Sequence, residues 1–279
     1  MPFTLSHPAI VLPLARGRLV PSAMVMGSMA PDLPYFLPFF KERWLTHMFI
    51  GTVTVDLGLA LLLLAVFHPL LKWPLIALCP AWVRGRVAVP ARGFDELRMN
   101  DLGWVLVSAA IGTFSHVSWD AFTHPDAPGV RWWPALAEPL AFGLPGFKVA
   151  QYGSGAIGLL VIAGWAFWWL RHATPAADEP AGLPVRHRVA TLTGTVVAGL
   201  AGSCYGALSW LPLNSDRSDL HARTVGGVIG AMAFATLALI AYSLVFHALR
   251  RRAPRPADGS SPRRATPARR PQSSSESRS

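Results

Sequence analysis

Residues 49–68 read FIGTVTVDLGLALLLLAVFH, twenty residues in which Asp56 is the single carboxylate and no lysine or arginine occurs. A hydrocarbon core about 30 Å thick is crossed by about 20 apolar residues rising about 1.5 Å each. The stretch therefore predicts a transmembrane helix, and four more of its kind follow at 102–123, 149–171, 189–211 and 225–249. The 189–211 stretch is the least apolar, rich in Gly, Thr and Ser, residues that suit close helix contacts in lipid. Composition agrees with this pattern. Of 279 residues, 52% are hydrophobic and only 14% charged, against about 25% charged in ordinary soluble domains. The expected fold class is all-α, a polytopic transmembrane helix bundle with five full spans.

The first forty residues differ. His7 to Leu14 and Val20 to Ala30 are short apolar pieces split by Arg16-Gly17-Arg18 and by Pro21. They read as a broken helical hairpin tucked against the bundle or lying at its interface; one kinked span is the competing reading. The opening MPFTLSHPAIVLPLARGR has no basic segment before its apolar run and no small-residue cleavage site, so a signal peptide is not expected. Residues 69–99 read as a long connection in which Leu70 to Trp82, broken by prolines, is interfacial. The expected organisation is an integral membrane domain over 1–249, with the hairpin segment at 1–48 and the spans at 49–249, followed by a tail at 250–279.

The formal charge of +10 could suggest a nucleic-acid partner. Its location argues otherwise. Nine arginines between Arg250 and Arg278 face only Asp258 and Glu276, so the tail supplies +7 of the +10. Rich in Arg, Pro and Ser, this tail is expected to be disordered and to touch anionic inner-leaflet lipid. No aromatic residues interleave its arginines, so nucleic acid is not an expected partner. A basic tail belongs in the cytoplasm. Counting back places 69–99 and the loop around Arg171, Arg186 and Arg188 inside. It places 31–48, 124–148 and 212–224 outside, with Trp44, Trp132, Trp133 and Trp210 set like an outer aromatic belt. Cys79 and Cys204 are too few for a disulfide framework and read as small buried apolar residues.

The segment with most chemistry is SHVSWDAFTH, residues 115–124. His116, Asp120 and His124 recur every four residues, one stripe of a helix, at the outer end of the second span. Imidazole and carboxylate at that spacing can converge on one ion; a hydrogen-bonded pair fixing helix packing is the plainer reading. The same predicted side carries His7, Asp32 and His47, each of which taken alone reads as a cap, a turn or an interfacial residue. Together His7, Asp32, His47, His116 and Asp120 form a nitrogen–oxygen ligand set without thiolate, suited to Zn²⁺, Mn²⁺ or Fe²⁺. Only a hairpin brings His7 to the others' face. Asp56, inside a span, reads either as a partner orienting a histidine or as a helix-packing hydrogen bond. No chemistry is assigned to His68, His172, His187, His221 or His247. A phosphate loop, dinucleotide fingerprint, serine elbow and HExxH are all absent, which argues against nucleotide-driven transport and zincin-type proteolysis.

The phrases MPFTLSHPA, GSMAPDLPYF, Thr46-His47, FHPLLKWPL, SHVSWDAFTH and QYGSGAIG, in this order, resemble a bacterial membrane-protein family known as domain of unknown function 4184. That family is distantly similar to the inner-membrane metal-dependent hydrolases of the YdjM type. Their early His, Pro-Asp, Thr-His-Ser and Ser-His-x-x-x-Asp correspond here to His7, Pro31-Asp32, Thr46-His47 and His116 with Asp120. Met48 stands where Ser is usual, and His124 lies beyond the shared pattern. The resemblance implies a membrane metal-dependent hydrolase. A site at head-group depth makes a lipid head-group phosphoester the expected substrate, with Trp44 and Trp132 lining the entrance; Arg131 reads equally as a phosphate partner or as a solvated loop residue. The alternative is a non-catalytic membrane protein, structural or a small-solute carrier, whose His/Asp set is a packing network or a metal staple.

Overall fold

The structure, a computed structural model, describes residues 4–37, 45–94, 101–209 and 220–252. Trp44, Trp210 and the tail beyond Arg252, for which roles are expected above, lie outside these residues, as does the His221 side chain. Five helices are long and apolar enough to cross a membrane: Phe49–Leu78, Leu102–Asp120, Gly146–His172, Val185–Ser209 and Ala222–Arg252. The protein is a multi-pass helical bundle.

The first span departs from expectation. It comprises α3 (Phe49–Val53), α4 (Val55–Val66), a π-helical turn Phe67–Leu71 and α5 (Lys72–Leu78). Pro69 has no N–H to give, and the wider π turn carries the helix past it. Residues 70–78 thus continue the helix of the first span without the break expected from their prolines. The reason is packing against the last span, α11 (Leu220–Arg252). There the Tyr242 hydroxyl donates to the Pro74 carbonyl at 2.9 Å, and His247 Nε2 to the Leu70 carbonyl at 3.0 Å. Ile76, Ala77 and Leu78 are buried. Next comes α6 (Ala81–Gly93), which carries Arg84, Arg86 and Arg92. The linker after the third span lies along it: Arg92 pairs with Asp178 at 2.9 Å, Arg84 with Glu179, and Ala176 N donates to Gly85 O at 2.8 Å. The Arg92 guanidinium beside Asp178 holds that carboxyl below its ordinary pKa.

The N-terminal segment is the hairpin. A 3₁₀ turn Thr4–Ser6, α1 (Pro8–Val11) and a second 3₁₀ turn Leu12–Leu14 form one arm. The chain reverses at Gly17, whose φ of +64° favours glycine. It returns as α2 (Pro21–Met29) and the 3₁₀ turn Ala30–Phe36. Neither arm has the length of a span. Val20 N donates to Ser108 Oγ at 2.8 Å, and the Ser28 carbonyl accepts from His116 Nδ1 at 2.8 Å. Both pairs are 88 residues apart, so α2 runs parallel to α7 (Leu102–Asp120). Their backbones nearly touch: a Cβ on Gly27 would collide with the Ala109 carbonyl, and one on Gly112 with the Met24 carbonyl. Below the hairpin's upper end, Ala23, Ala30, Ala60, Leu64, Val105 and Ala109 form an apolar core shared by α2, α4 and α7.

The remaining spans surround this unit. After Asp120 come a short α8 (Pro128–Trp132) and a two-stranded ribbon, β1 (Pro139–Ala141) with β2 (Leu144–Pro145). The ribbon is a small β element that the all-helical expectation did not contain. Phe142 and Gly143, with φ of +55° and +72°, make its tight turn. The third span, α9 (Gly146–His172), packs its Gly158 against Ser6 of the hairpin, and Trp119 Nε1 donates to its Ser154 Oγ at 3.0 Å. The fourth, α10 (Val185–Ser209), pairs with α11 through Gly202 against Gly230 and Gly206 against Gly226. Small residues here permit the close contact expected of them. Cys204 on α10 is exposed and Cys79 half-buried, contrary to the reading of both as buried; α10 packs chiefly against α11.

Candidate metal centre

Four chain segments meet where α7 ends. The first hairpin arm brings His7, the 3₁₀ turn after α2 brings Asp32, the turn before α3 brings His47, and the last turn of α7 brings His116 and Asp120. His116 is wholly buried, Asp32 equally so, and Asp120 nearly so. His116 Nε2 lies 3.4 Å from Asp120 Oδ2 and 3.7 Å from Asp32 Oδ1. His47 Nε2 lies 3.5 Å from Asp120 Oδ2 and 3.9 Å from Asp32 Oδ1. Each of these four residues offers one nitrogen or oxygen such that all four atoms fall within 4.8 Å of one another. His7 stands at the edge of this group. Its ring stacks on that of His116 with centroids 3.8 Å apart, and its Nε2 is 3.7 Å from Asp120 Oδ1.

The outer hydrogen bonds fix which atoms face the centre. His116 Nδ1 carries the proton donated to the Ser28 carbonyl, so Nε2 is the ring atom turned to the centre. The Thr46 hydroxyl gives its hydrogen to the Pro31 carbonyl at 2.9 Å, so its oxygen accepts from His47 Nδ1 at 3.1 Å. The His47 Nε2 is thus turned inward as well. Thr4 Oγ1 donates to Asp32 Oδ2 at 2.7 Å, tying the two arms of the hairpin and turning Oδ1 to the centre. His7 Nε2, Asp32 Oδ1 and His116 Nε2 are all buried with no hydrogen-bond partner. A buried orphan acceptor costs about 1–3 kcal/mol, and three aimed at one region are what a cation would satisfy. Imidazoles and carboxylates gathered in this way are a donor set that could hold a metal ion. The arrangement is a possible His/Asp metal site.

His124 and Asp56 fall elsewhere. The α7 helix stops at Asp120, so His124 is not on the helical stripe expected for it. It sits on the following turn and reaches back, Nδ1 donating to the Asp120 carbonyl at 3.2 Å and lying 3.6 Å from Asp120 Oδ2. Burial, foremost, holds its pKa below the ordinary histidine value. Asp56 is wholly buried, yet neither carboxylate oxygen has a hydrogen-bond partner, so it does not orient a histidine in the way expected of it. The Ser28 carbonyl and Thr46 hydroxyl take that role. Sequence reasoning also missed Gln151. This 1% exposed side chain donates from Nε2 to His124 Nε2 at 3.1 Å and accepts from Lys148 Nζ at 3.0 Å. A polar residue near the start of an apolar span is the signal that could have found it.

Beside the cluster opens a cavity of about 520 Å³ whose wall includes His47, Asp120, His124, Phe49, Phe114 and Trp132. Trp132 is thus one of the wall residues. Arg131 is exposed and outside the wall. A second cavity, about 740 Å³, lies at the opposite end of α2 and α7, around Ser22, His68 and Trp104, and contains none of the cluster. His68 there stacks on Phe94 and bonds Ser22 Oγ at 3.1 Å, a packing role.

Residues 1–245 match the family model described as Domain of unknown function (DUF4184). The chain belongs to this family. The match takes in all five spans up to the late part of α11 and every residue of the cluster. Neither the curated proteins nor the solved structures contain a significant match to the chain.

Proposed function

We propose that this member of the DUF4184 family is a bacterial inner-membrane metal-dependent hydrolase that cleaves phosphoesters at lipid head-group depth. The observation that carries the reading is the convergence of the His47 and His116 ring nitrogens with the Asp32 and Asp120 carboxylates at the end of a membrane span. The order His7, Pro31-Asp32, Thr46-His47 and His116-x-x-x-Asp120 supports it through the likeness to the YdjM-type hydrolases. In this reading the C-terminus is cytoplasmic and the cluster faces outward. Membrane lipids are then the surrounding partners, and the basic tail meets the anionic inner leaflet.

His47, His116, Asp32 and Asp120 hold one ion of the zinc, manganese or iron type, with His7 completing the set or serving a second ion. Such an ion supplies Lewis acidity and lowers the pKa of water towards about 7. The chain's own residues do the rest. Ser28 and Thr46 fix the imidazole tautomers, Thr4 fixes Asp32, and Gln151 with His124 steadies Asp120. His47, its side chain 27% exposed, is the cluster member at the cavity mouth. Hydrolysis of a phosphodiester there consumes one water and yields a phosphomonoester and an alcohol.

The test is bound metal and phosphodiesterase activity in detergent-purified protein. Metal-free protein from metal-replete cells ends the idea. A second reading, a metal staple without catalysis, is favoured by one feature: the cluster joins both hairpin arms to α7. His116→Ala and Asp120→Ala decide between them. A catalytic site loses turnover with folded protein retained; a staple loses the folded protein.

A further inference from the structure

The cavity beside the cluster has a mixed wall. It joins His124, Asp126 and the cluster edge to Phe49, Thr52, Phe114 and Val117. Phe114 lies six residues before Asp120 on α7, about 9 Å deeper at about 1.5 Å per residue. Phe49 opens the first span and is 73% exposed, and Phe114 is 56% exposed. On a membrane-spanning helix Phe114 lies further toward the hydrocarbon than Asp120, so the wall reaches from the cluster toward the bilayer interior. Among the described wall residues there is no lysine or arginine. The wall thus offers no cationic grip to a soluble, multiply charged phosphate.

Resting on the hydrolase reading, we infer that the substrate is a membrane-resident amphiphile. Its singly charged phosphodiester lies at the cluster, and its hydrocarbon chain lies in the groove between Phe49 and the Phe114–Val117 face of α7. A chain already in lipid gains little by entering an apolar groove. The groove therefore acts by holding the chain beside the cluster and fixing the depth of the head group, which is an effect of orientation.

The experiment uses the full chain in lipid nanodiscs loaded with Mn²⁺. The probe is methyl hexadecyl phosphate bearing a photoactivatable diazirine in the first half of its chain. Labelling of Phe114 and Val117 is compared with that of Leu160 on α9, a 72% exposed residue outside the groove. The expected result is labelling at least about tenfold denser in the groove, a preference of ~1.4 kcal/mol. Val117→Trp, which fills the groove without adding polarity, should remove that excess at Phe114. Hydrolysis of soluble bis(p-nitrophenyl) phosphate is followed in parallel. Turnover with uniform labelling overturns the groove alone. Groove labelling without turnover, under any divalent metal, overturns the hydrolase and leaves the chain-binding groove. Uniform labelling without turnover overturns both.

Discussion

Thr4→Val is the most informative single change, because valine keeps the shape of threonine and removes one hydrogen bond. Thr4 Oγ1 donates to Asp32 Oδ2 at 2.7 Å across the mouth of the hairpin, with Thr4 5% exposed and Asp32 fully buried. A hydrogen bond to a carboxylate contributes about 1.5–3 kcal/mol, and no water stands ready to replace this one. At about 1.4 kcal/mol per factor of ten, the first arm should open about 10- to 150-fold more often. Hydrogen exchange reads this directly. The amides of Ile10 and Ala15, which donate to His7 and Leu12 carbonyls, are the reporters. They should lose protection by that factor, while amides of α10, which the change does not touch, keep theirs. Zinc at about 100 times its Kd should add about 2.7 kcal/mol of protection to the arm in the wild type, through His7 and Asp32. If Ile10 and Ala15 exchange within about twofold of wild type, the bond does not hold the arm, and the account of how Asp32 is aimed is wrong.

Further outcomes follow from the same geometry. Asp120→Asn removes the carboxylate lying 3.4–3.7 Å from four imidazoles. It should weaken metal binding by more than the about 10- to 100-fold typical of outer partners, and equal metal content in variant and wild type would remove Asp120 from the site. Gln151→Leu should weaken binding by that smaller factor through His124; an unchanged titration with a competing chelator would show that the chain of contacts does not reach the centre. Gly112→Leu forces a side chain into the Met24 carbonyl and should cost at least about 1–3 kcal/mol, seen as lost monodisperse protein on size exclusion. Metal retention should fall as pH is lowered across the range in which free imidazole titrates, because protons compete with the metal for the ring nitrogens. A flat retention profile across that range would refute a histidine-based centre.

Membrane character was legible because it is additive: twenty apolar residues in a row report their solvent without any knowledge of neighbours. The hairpin was legible too, since Arg16-Gly17-Arg18 interrupts a run that is otherwise too short twice over. Residues 70–78 were misread for a local reason. Prolines signal a break, but Pro69 is absorbed by a π turn, and Tyr242 and His247, far along the chain, take up carbonyls in the same stretch. His124 was misread because a four-residue spacing says nothing of where a helix stops. Asp56 was misread because the groups that orient His116 and His47 are a backbone carbonyl and a hydroxyl, and a carbonyl has no letter in the sequence.

Which residues bear nitrogen and oxygen donors was therefore fixed by composition along the chain, and so was the bilayer they inhabit. That His7, Asp32, His47, His116 and Asp120 share one region depends on α2 lying parallel to α7 at backbone contact through Gly27 and Gly112. Such contact is a property of two surfaces, each built from residues spaced three and four apart. Their fit exists only once the hairpin has closed.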